Sequence, residues 1–260
     1  MAIILNPHKI LHLACFLAGI PCRVGFDRKW GFLLNVKKTD DRDNGQKHEI
    51  QYTMDLVHLI QEDLEITNPR IVLDERVNGK IDEKLKQNGI TGDRPIVAIH
   101  AGSSNLSKLW SVDRYAELIK KIKPSLDCDI VMLGTEKEKT ITSYIIRRSE
   151  TKLVDFTGKF DLKELACFLS KSSLFIGNDT GPMHMAAALS VPLIVIFGRN
   201  QAGVGPRRWG PWGTRSIVFH EDPGCRPCLD QKCINDYKCM KMVTVEMVYD
   251  AVIEFLGPWT

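Results

Sequence analysis

The chain has 260 residues, of which 44% are hydrophobic and 26% charged, with a formal net charge of +3. That is enough for one large domain or two modest ones with a sizeable core. The small positive excess falls short of the clustered basic charge of a nucleic-acid binder, and no apolar run is long enough to span a bilayer.

The first residues, Met1-Ala2-Ile3-Ile4-Leu5-Asn6-Pro7-His8, lack the basic segment and long apolar core of an export signal, so a cytoplasmic location is expected. Residues 8–19 read as a short amphipathic helix, followed by Pro21 and an extended stretch at 22–26. Residues 37–47 are polar and read as an exposed loop. From His48, the spacing of Ile50, Met54, Val57, Leu59 and Ile60 predicts a helix reaching Leu64, stopped by Asn68-Pro69. This opening segment, 1–68, shows helices and hardly any strand, and is not expected to form a complete domain.

After Pro69 strands and helices alternate. Strands are predicted at 71–73, 96–100, 130–133, 153–156, 174–176, 193–197 and 217–219. Helices are predicted at 81–87, 112–122, 137–148, 162–170 and 182–189. Short continuous apolar strands between helices give an α/β domain over 69–260, with a mostly parallel sheet covered on both faces. Ligands of such sheets bind at the carboxyl ends of the strands.

Three strand ends carry the candidate chemistry. Asn178-Asp179-Thr180-Gly181-Pro182-Met183-His184 follows one strand and opens a helix. Thr180 is placed to cap, Gly181 permits close backbone approach, and Pro182 fits the first turn. The N–H groups of Gly181, Met183 and His184 then face a phosphate or diphosphate at the positive end of the helix dipole. Asp179 and His184 add a carboxylate and an imidazole. The alternative is that Asp179 and Thr180 only cap the helix and His184 is a satisfied core histidine.

After strand 96–100, Gly102, Ser103 and Ser104 can wrap a phosphate and Lys108 can neutralise it; a polar loop with a solvated lysine is the competing reading. The loop does not match the Walker pattern, which argues against a nucleotide triphosphatase. After strand 130–133, Thr135 and Glu138 have capping-box spacing, which leaves Glu136 to accept from ribose hydroxyls. Arg207, Arg208, Trp209 and Trp212, in a Gly- and Pro-rich loop, can meet sugar or phosphate or simply anchor a surface loop.

Gly102-Ser103-Ser104 with Lys108-Leu109-Trp110, then Leu133-Gly134-Thr135-Glu136, then residues 177–184, resemble the carboxyl-terminal half of family 9 glycosyltransferases, the lipopolysaccharide heptosyltransferases. Residues 18–26 resemble a stretch late in that family's amino-terminal lobe. The resemblance implies a GT-B-type fold of two Rossmann-like lobes, with 1–68 a partial amino-terminal (acceptor) lobe and 69–260 the nucleotide-sugar-binding lobe with a carboxyl-terminal helix. It implies ADP-heptose as donor and the lipopolysaccharide core as acceptor, at the cytoplasmic face of the inner membrane, without nucleic acid and without a cofactor for catalysis. Lys108 would contact the diphosphate, Glu136 the ribose, and Asp179, Thr180, Gly181 and His184 the phosphate and sugar, with Ser103 and Ser104 in the phosphate loop. The family's catalytic base lies early in the amino-terminal lobe and has no counterpart among these residues. Two other readings are a truncated or split nucleotide-sugar-binding protein without independent transfer activity, and a nucleotide-sugar epimerase of similar shape.

Of eight cysteines, Cys15, Cys22, Cys128 and Cys167 are scattered and expected to be buried and reduced. Cys225, Cys228, Cys233 and Cys239 are clustered, and are expected to be packed thiols or the ligands of a structural zinc ion.

Overall fold

The structure, a computed structural model, describes residues 1–257. The chain folds into two compact units: Met1–Thr67 with Ala202–Trp209, and Asn68–Gln201 with the chain from Gly210 onward.

The first unit holds three parallel strands, β1 (Ala2–Ile4), β2 (Arg23–Asp27) and β3 (Val36–Thr39), in the order β1-β2-β3. Helix α1 (Lys9–Leu17) links β1 to β2, and α2 (Glu49–Val57) follows β3. Its core joins Val24 and Phe26 of β2 to Tyr52 and Leu56, which lie one turn apart on α2. The sheet corrects two expectations, since β1 was not foreseen and β3 falls partly in the segment read as loop. As an edge strand β3 carries Lys37, paired at 2.9 Å with Asp27 of β2, and such charged edges hide the strand pattern.

Residues 202–209 belong here because Gly45 and Gly203 meet backbone to backbone; a Cβ on Gly45 would lie 2.6 Å from the Gly203 nitrogen. Arg208, on a later helical turn named α8 below, donates to Glu49 at 2.6 Å and to the Arg42 carbonyl at 3.1 Å. Arg208 is therefore committed to holding this unit together.

The second unit carries six parallel strands: β4 (Ile96–His100), β5 (Asp129–Leu133), β6 (Val154–Asp155), β7 (Leu174–Asn178), β8 (Leu193–Phe197) and β9 (Ser216–His220). The connecting helices are α3 (Glu75–Gln87), α4 (Val112–Ser125), α5 (Lys139–Ser149), α6 (Leu162–Leu169) and α7 (Gly181–Ala188). The short α8 (Pro206–Trp209) belongs to the first unit, and α9 (Lys238–Met242) and α10 (Val245–Leu256) close the second. β4, β7 and β8 are buried along their whole length, which is why each reads as an unbroken apolar run.

Residues 71–73 are not a strand. Val72 is 95% exposed and has no neighbouring strand. α3 starts instead at Glu75, six residues earlier than the pattern suggested, because the Asp74 carboxylate accepts from the Arg76 N–H at 3.0 Å.

The strand order is β6-β5-β4-β7-β8-β9. Counted from β4, this is the order of dinucleotide-binding sheets, and the winding direction reverses between β4 and β7. A crevice therefore opens at the carboxyl ends of those two strands.

Candidate functional site

At this crevice the loop after β4 faces the amino end of α7, and Asn178, the last residue of β7, ties the two together. Its buried amide accepts from the Trp110 N–H and the Tyr115 hydroxyl, both at 3.2 Å, and donates to the carbonyls of Ala101 (3.1 Å) and Gly102 (3.3 Å). The amide thus sets the curvature of the Gly102-Ser103-Ser104 turn. The Ser103 hydroxyl is engaged within the turn by Asn105, while Ser104 is exposed.

Lys108 sits in a single 3-10 turn, Leu106–Lys108, and its Nζ lies 2.7 Å from Asp179 Oδ2. Asp179 is only 6% exposed, and Arg199 reaches the same oxygen at 3.2 Å. Arg199 also lies 3.9 Å from Asp230 Oδ2. Asp230 in turn accepts from the Ser107 hydroxyl and from Asn105 Nδ2. Close approach makes this chain of charges possible: a Cβ on Gly198 would lie 2.0 Å from the Ser107 carbonyl. Neither Arg199 nor Asp230 was among the sequence candidates. Arg199 lies two residues beyond the end of a buried strand, a usable signal; Asp230 had none.

Thr180 stands at the N-cap of α7 but its side chain does not cap, contrary to expectation. Its hydroxyl lies 3.3 Å from both His100 Nδ1 and the Asn178 carbonyl. The Met183 N–H, expected to face a ligand, donates to the Thr180 carbonyl at 3.1 Å. The space above Gly181 is open, with nothing within 4 Å of a Cβ built there, and His184 is exposed.

At the end of β5 the capping box forms: Glu138 accepts from the Thr135 N–H at 2.6 Å and hydroxyl at 2.9 Å. Glu136 is exposed and paired with Lys139 at 2.6 Å. Glu138 does more than cap, because its carboxylate also lies 3.6 Å from His100 Nε2 and fills the space beside Gly102. Its carboxyl is held down to about 2, first by the hydrogen bond from His100, against the opposing effect of burial, and then by the Thr135 N–H. A folded value below the unfolded 4.5 means that the stabilisation is complete above pH 4.5 and is lost as pH falls toward 2. Urea titrations from pH 6 to 2 are expected to show this loss, and Glu138→Gln to flatten it; an unchanged slope in the variant would contradict the assignment.

Beside the Gly102-Ser103-Ser104 turn, His100, Thr135, Phe156, Phe160, Leu165 and Pro182 are among the residues lining a cavity of about 190 Å³. Phe160, in the apolar wall, stacks on Phe168 with ring centroids 5.3 Å apart. A flat heterocyclic base suits it.

Cys225, Cys228, Cys233 and Cys239 line one cavity of about 170 Å³ and are all free thiols. Among the described residues no group of three or more His, Cys, Asp or Glu side chains is placed to hold a metal ion, so the four thiols do not present the tetrahedral set that zinc requires. Asn235 Nδ2 donates to Cys225 Sγ at 2.9 Å, and the Tyr237 N–H to Cys233 Sγ at 3.4 Å. Of the scattered cysteines, Cys128 and Cys167 are buried, but Cys15 and Cys22 are only half-buried.

Residues 3–238 match the sequence model of glycosyltransferase family 9 (heptosyltransferase), and the chain belongs to that family. It is 27% identical over 179 residues to lipooligosaccharide heptosyltransferase 2 of Campylobacter jejuni, covering 66% of this chain and 55% of the relative. It is 24% identical over 206 residues to lipopolysaccharide heptosyltransferase 2 of Escherichia coli K12, covering 75% and 58%. The chain thus spans little more than half the length of these curated relatives. The family 9 glycosyltransferase structure from Veillonella parvula aligns over 98% of this chain and 72% of its own, with a TM-score of 0.84 at 23% identity. The E. coli ADP-heptose lps heptosyltransferase II structure aligns over 98% and 75%, with a TM-score of 0.74 at 20% identity. The fold is of the GT-B type, and among the described residues no helix is long and apolar enough to cross a membrane.

Proposed function

We propose that the crevice between β4 and β7 binds ADP-heptose and that the chain serves heptose transfer to the lipopolysaccharide inner core. The observation that carries this reading is the convergence of Lys108 and Asp179 at the strand ends of a dinucleotide-type sheet, beside an aromatic cavity sized for a base. In this assignment the adenine occupies the Phe156–Phe160 cavity and Glu136 accepts from the ribose. The diphosphate lies along Ser103, Ser104 and Lys108, under the amino end of α7. Asp179, Thr180, Gly181 and His184 face the distal phosphate and the sugar.

Transfer would proceed by direct displacement at the anomeric carbon. A base takes the proton of the acceptor hydroxyl, the acceptor oxygen bonds to that carbon, and ADP departs with the bonding electrons. Lys108 and the helix dipole of α7 stabilise the charge developing on the departing diphosphate. No metal is invoked. The cysteine-rich segment serves as scaffold, since its Asp230 braces the turn that carries Lys108. A lipid-linked acceptor would bring the protein to the inner-membrane surface.

The test is to incubate the chain, alone and beside a co-expressed amino-terminal lobe of a longer relative, with ADP-heptose and a heptose-deficient core acceptor. The expected result is ADP release with an acceptor heavier by one heptose in at least one arrangement, abolished by Lys108→Ala. Donor bound without ADP release in either would support a binding protein and contradict the transfer reading.

A further inference from the structure

We infer that Arg199 is a second cation for the donor's diphosphate, contacting it directly beside Lys108. The inference rests on the reading of this crevice as a diphosphate site, and adds to it a residue from a third strand end.

Arg199 follows Gly198 at the end of β8, the strand next to β7. Its backbone is left-handed, with φ of 66°, a conformation unusual for a residue with a side chain and worth explaining where it occurs. The segment is held against β9 and the residue after it: the Asn200 side chain donates to the Glu221 carbonyl at 2.9 Å, and His220 Nε2 lies 3.1 Å from the Arg199 carbonyl. The arginine is thereby turned toward the loop after β7 rather than outward.

There its guanidinium and the Lys108 ammonium both reach one oxygen, Asp179 Oδ2, at 3.2 and 2.7 Å. Two cationic heads held at a single carboxylate oxygen lie close enough to share one diphosphate. The acidic side is more dispersed, because Asp230 lies 3.9 Å from Arg199 and also accepts from Ser107 and Asn105. A diphosphate ester carries more negative charge than one lysine offsets. An arginine fork suits the purpose, since its planar set of donors can engage a carboxylate on one edge and a phosphate on another. Arg199 is 12% exposed at its side chain, so this charge works in a partly dried site where it is screened less than on the surface. Asp179 holds both cations in place.

The experiment is calorimetric titration of the wild type, Arg199→Gln and Arg199→Lys with inorganic pyrophosphate, ADP and adenosine. Arg199→Gln is expected to weaken pyrophosphate and ADP by about tenfold or more and adenosine by less than about twofold, with Arg199→Lys, which restores the charge without the fork, recovering only part of the loss. The salt dependence of pyrophosphate affinity should become shallower in Arg199→Gln. Unchanged pyrophosphate affinity in Arg199→Gln would overturn the inference. So would an equal loss for adenosine, which would make the residue purely structural. Arg199-dependent pyrophosphate binding in a protein that ignores ADP would uphold the inference and refute the nucleotide reading. No binding of either anion by the wild type would refute both.

Discussion

Lys108→Ala is expected to weaken ADP binding by roughly thirty- to a hundredfold, the value of a charge-assisted contact worth about 2–3 kcal/mol. Little of that loss should appear in stability. Lys108 is partly exposed, and its ion partner Asp179 stays paired with Arg199 at 3.2 Å when the ammonium is removed, so no buried charge is orphaned. Calorimetric titration together with a thermal melt separates the two effects. Undiminished ADP affinity, or a loss matched by a large fall in melting temperature, would remove Lys108 from the diphosphate site.

The second large effect is on folding. Asn178→Ala is expected to cost about 3–5 kcal/mol and to lower the melting temperature by roughly 10 °C. The buried amide satisfies two donors, the Trp110 N–H and the Tyr115 hydroxyl, and two acceptors, the Ala101 and Gly102 carbonyls. Alanine strands all four and leaves a void beneath the Gly102-Ser103-Ser104 turn. Asn178→Asp should be little better, because a carboxylate cannot donate to the two carbonyls and would bury a charge. Chemical denaturation measures the loss; a change below about 1 kcal/mol would show that water or a shifted neighbour replaces the amide.

The large sheet was legible because β4, β7 and β8 are buried on both faces and read as short apolar runs between helices. The same rule misled at 71–73, where three apolar residues have no strand to pair with. It also failed at β3, whose edge position allows lysines that resemble a loop. At the site, the strand ends carrying Lys108 and Asp179 could be named from local sequence, and the structure brings the two side chains together. Individual side-chain duties could not be read locally. Thr180 has the type and place of a cap, but its hydroxyl turns to His100, 80 positions away in the chain. Glu138 fulfils its capping box and also reaches His100. Asp230 braces Ser107 across 123 positions, a pairing with no local spacing to betray it.

Heptose transfer from ADP-heptose requires an adenine nucleotide diphosphate site at the carboxyl ends of β4 and β7. The most direct measurement is calorimetric titration of the chain with ADP, UDP and GDP under one buffer and salt condition. One site per chain is expected, with ADP bound most tightly. The base would fill the cavity at Phe156 and Phe160, and binding would be lost on substitution at Lys108. UDP or GDP bound as tightly as ADP, or ADP binding indifferent to Lys108, would contradict it.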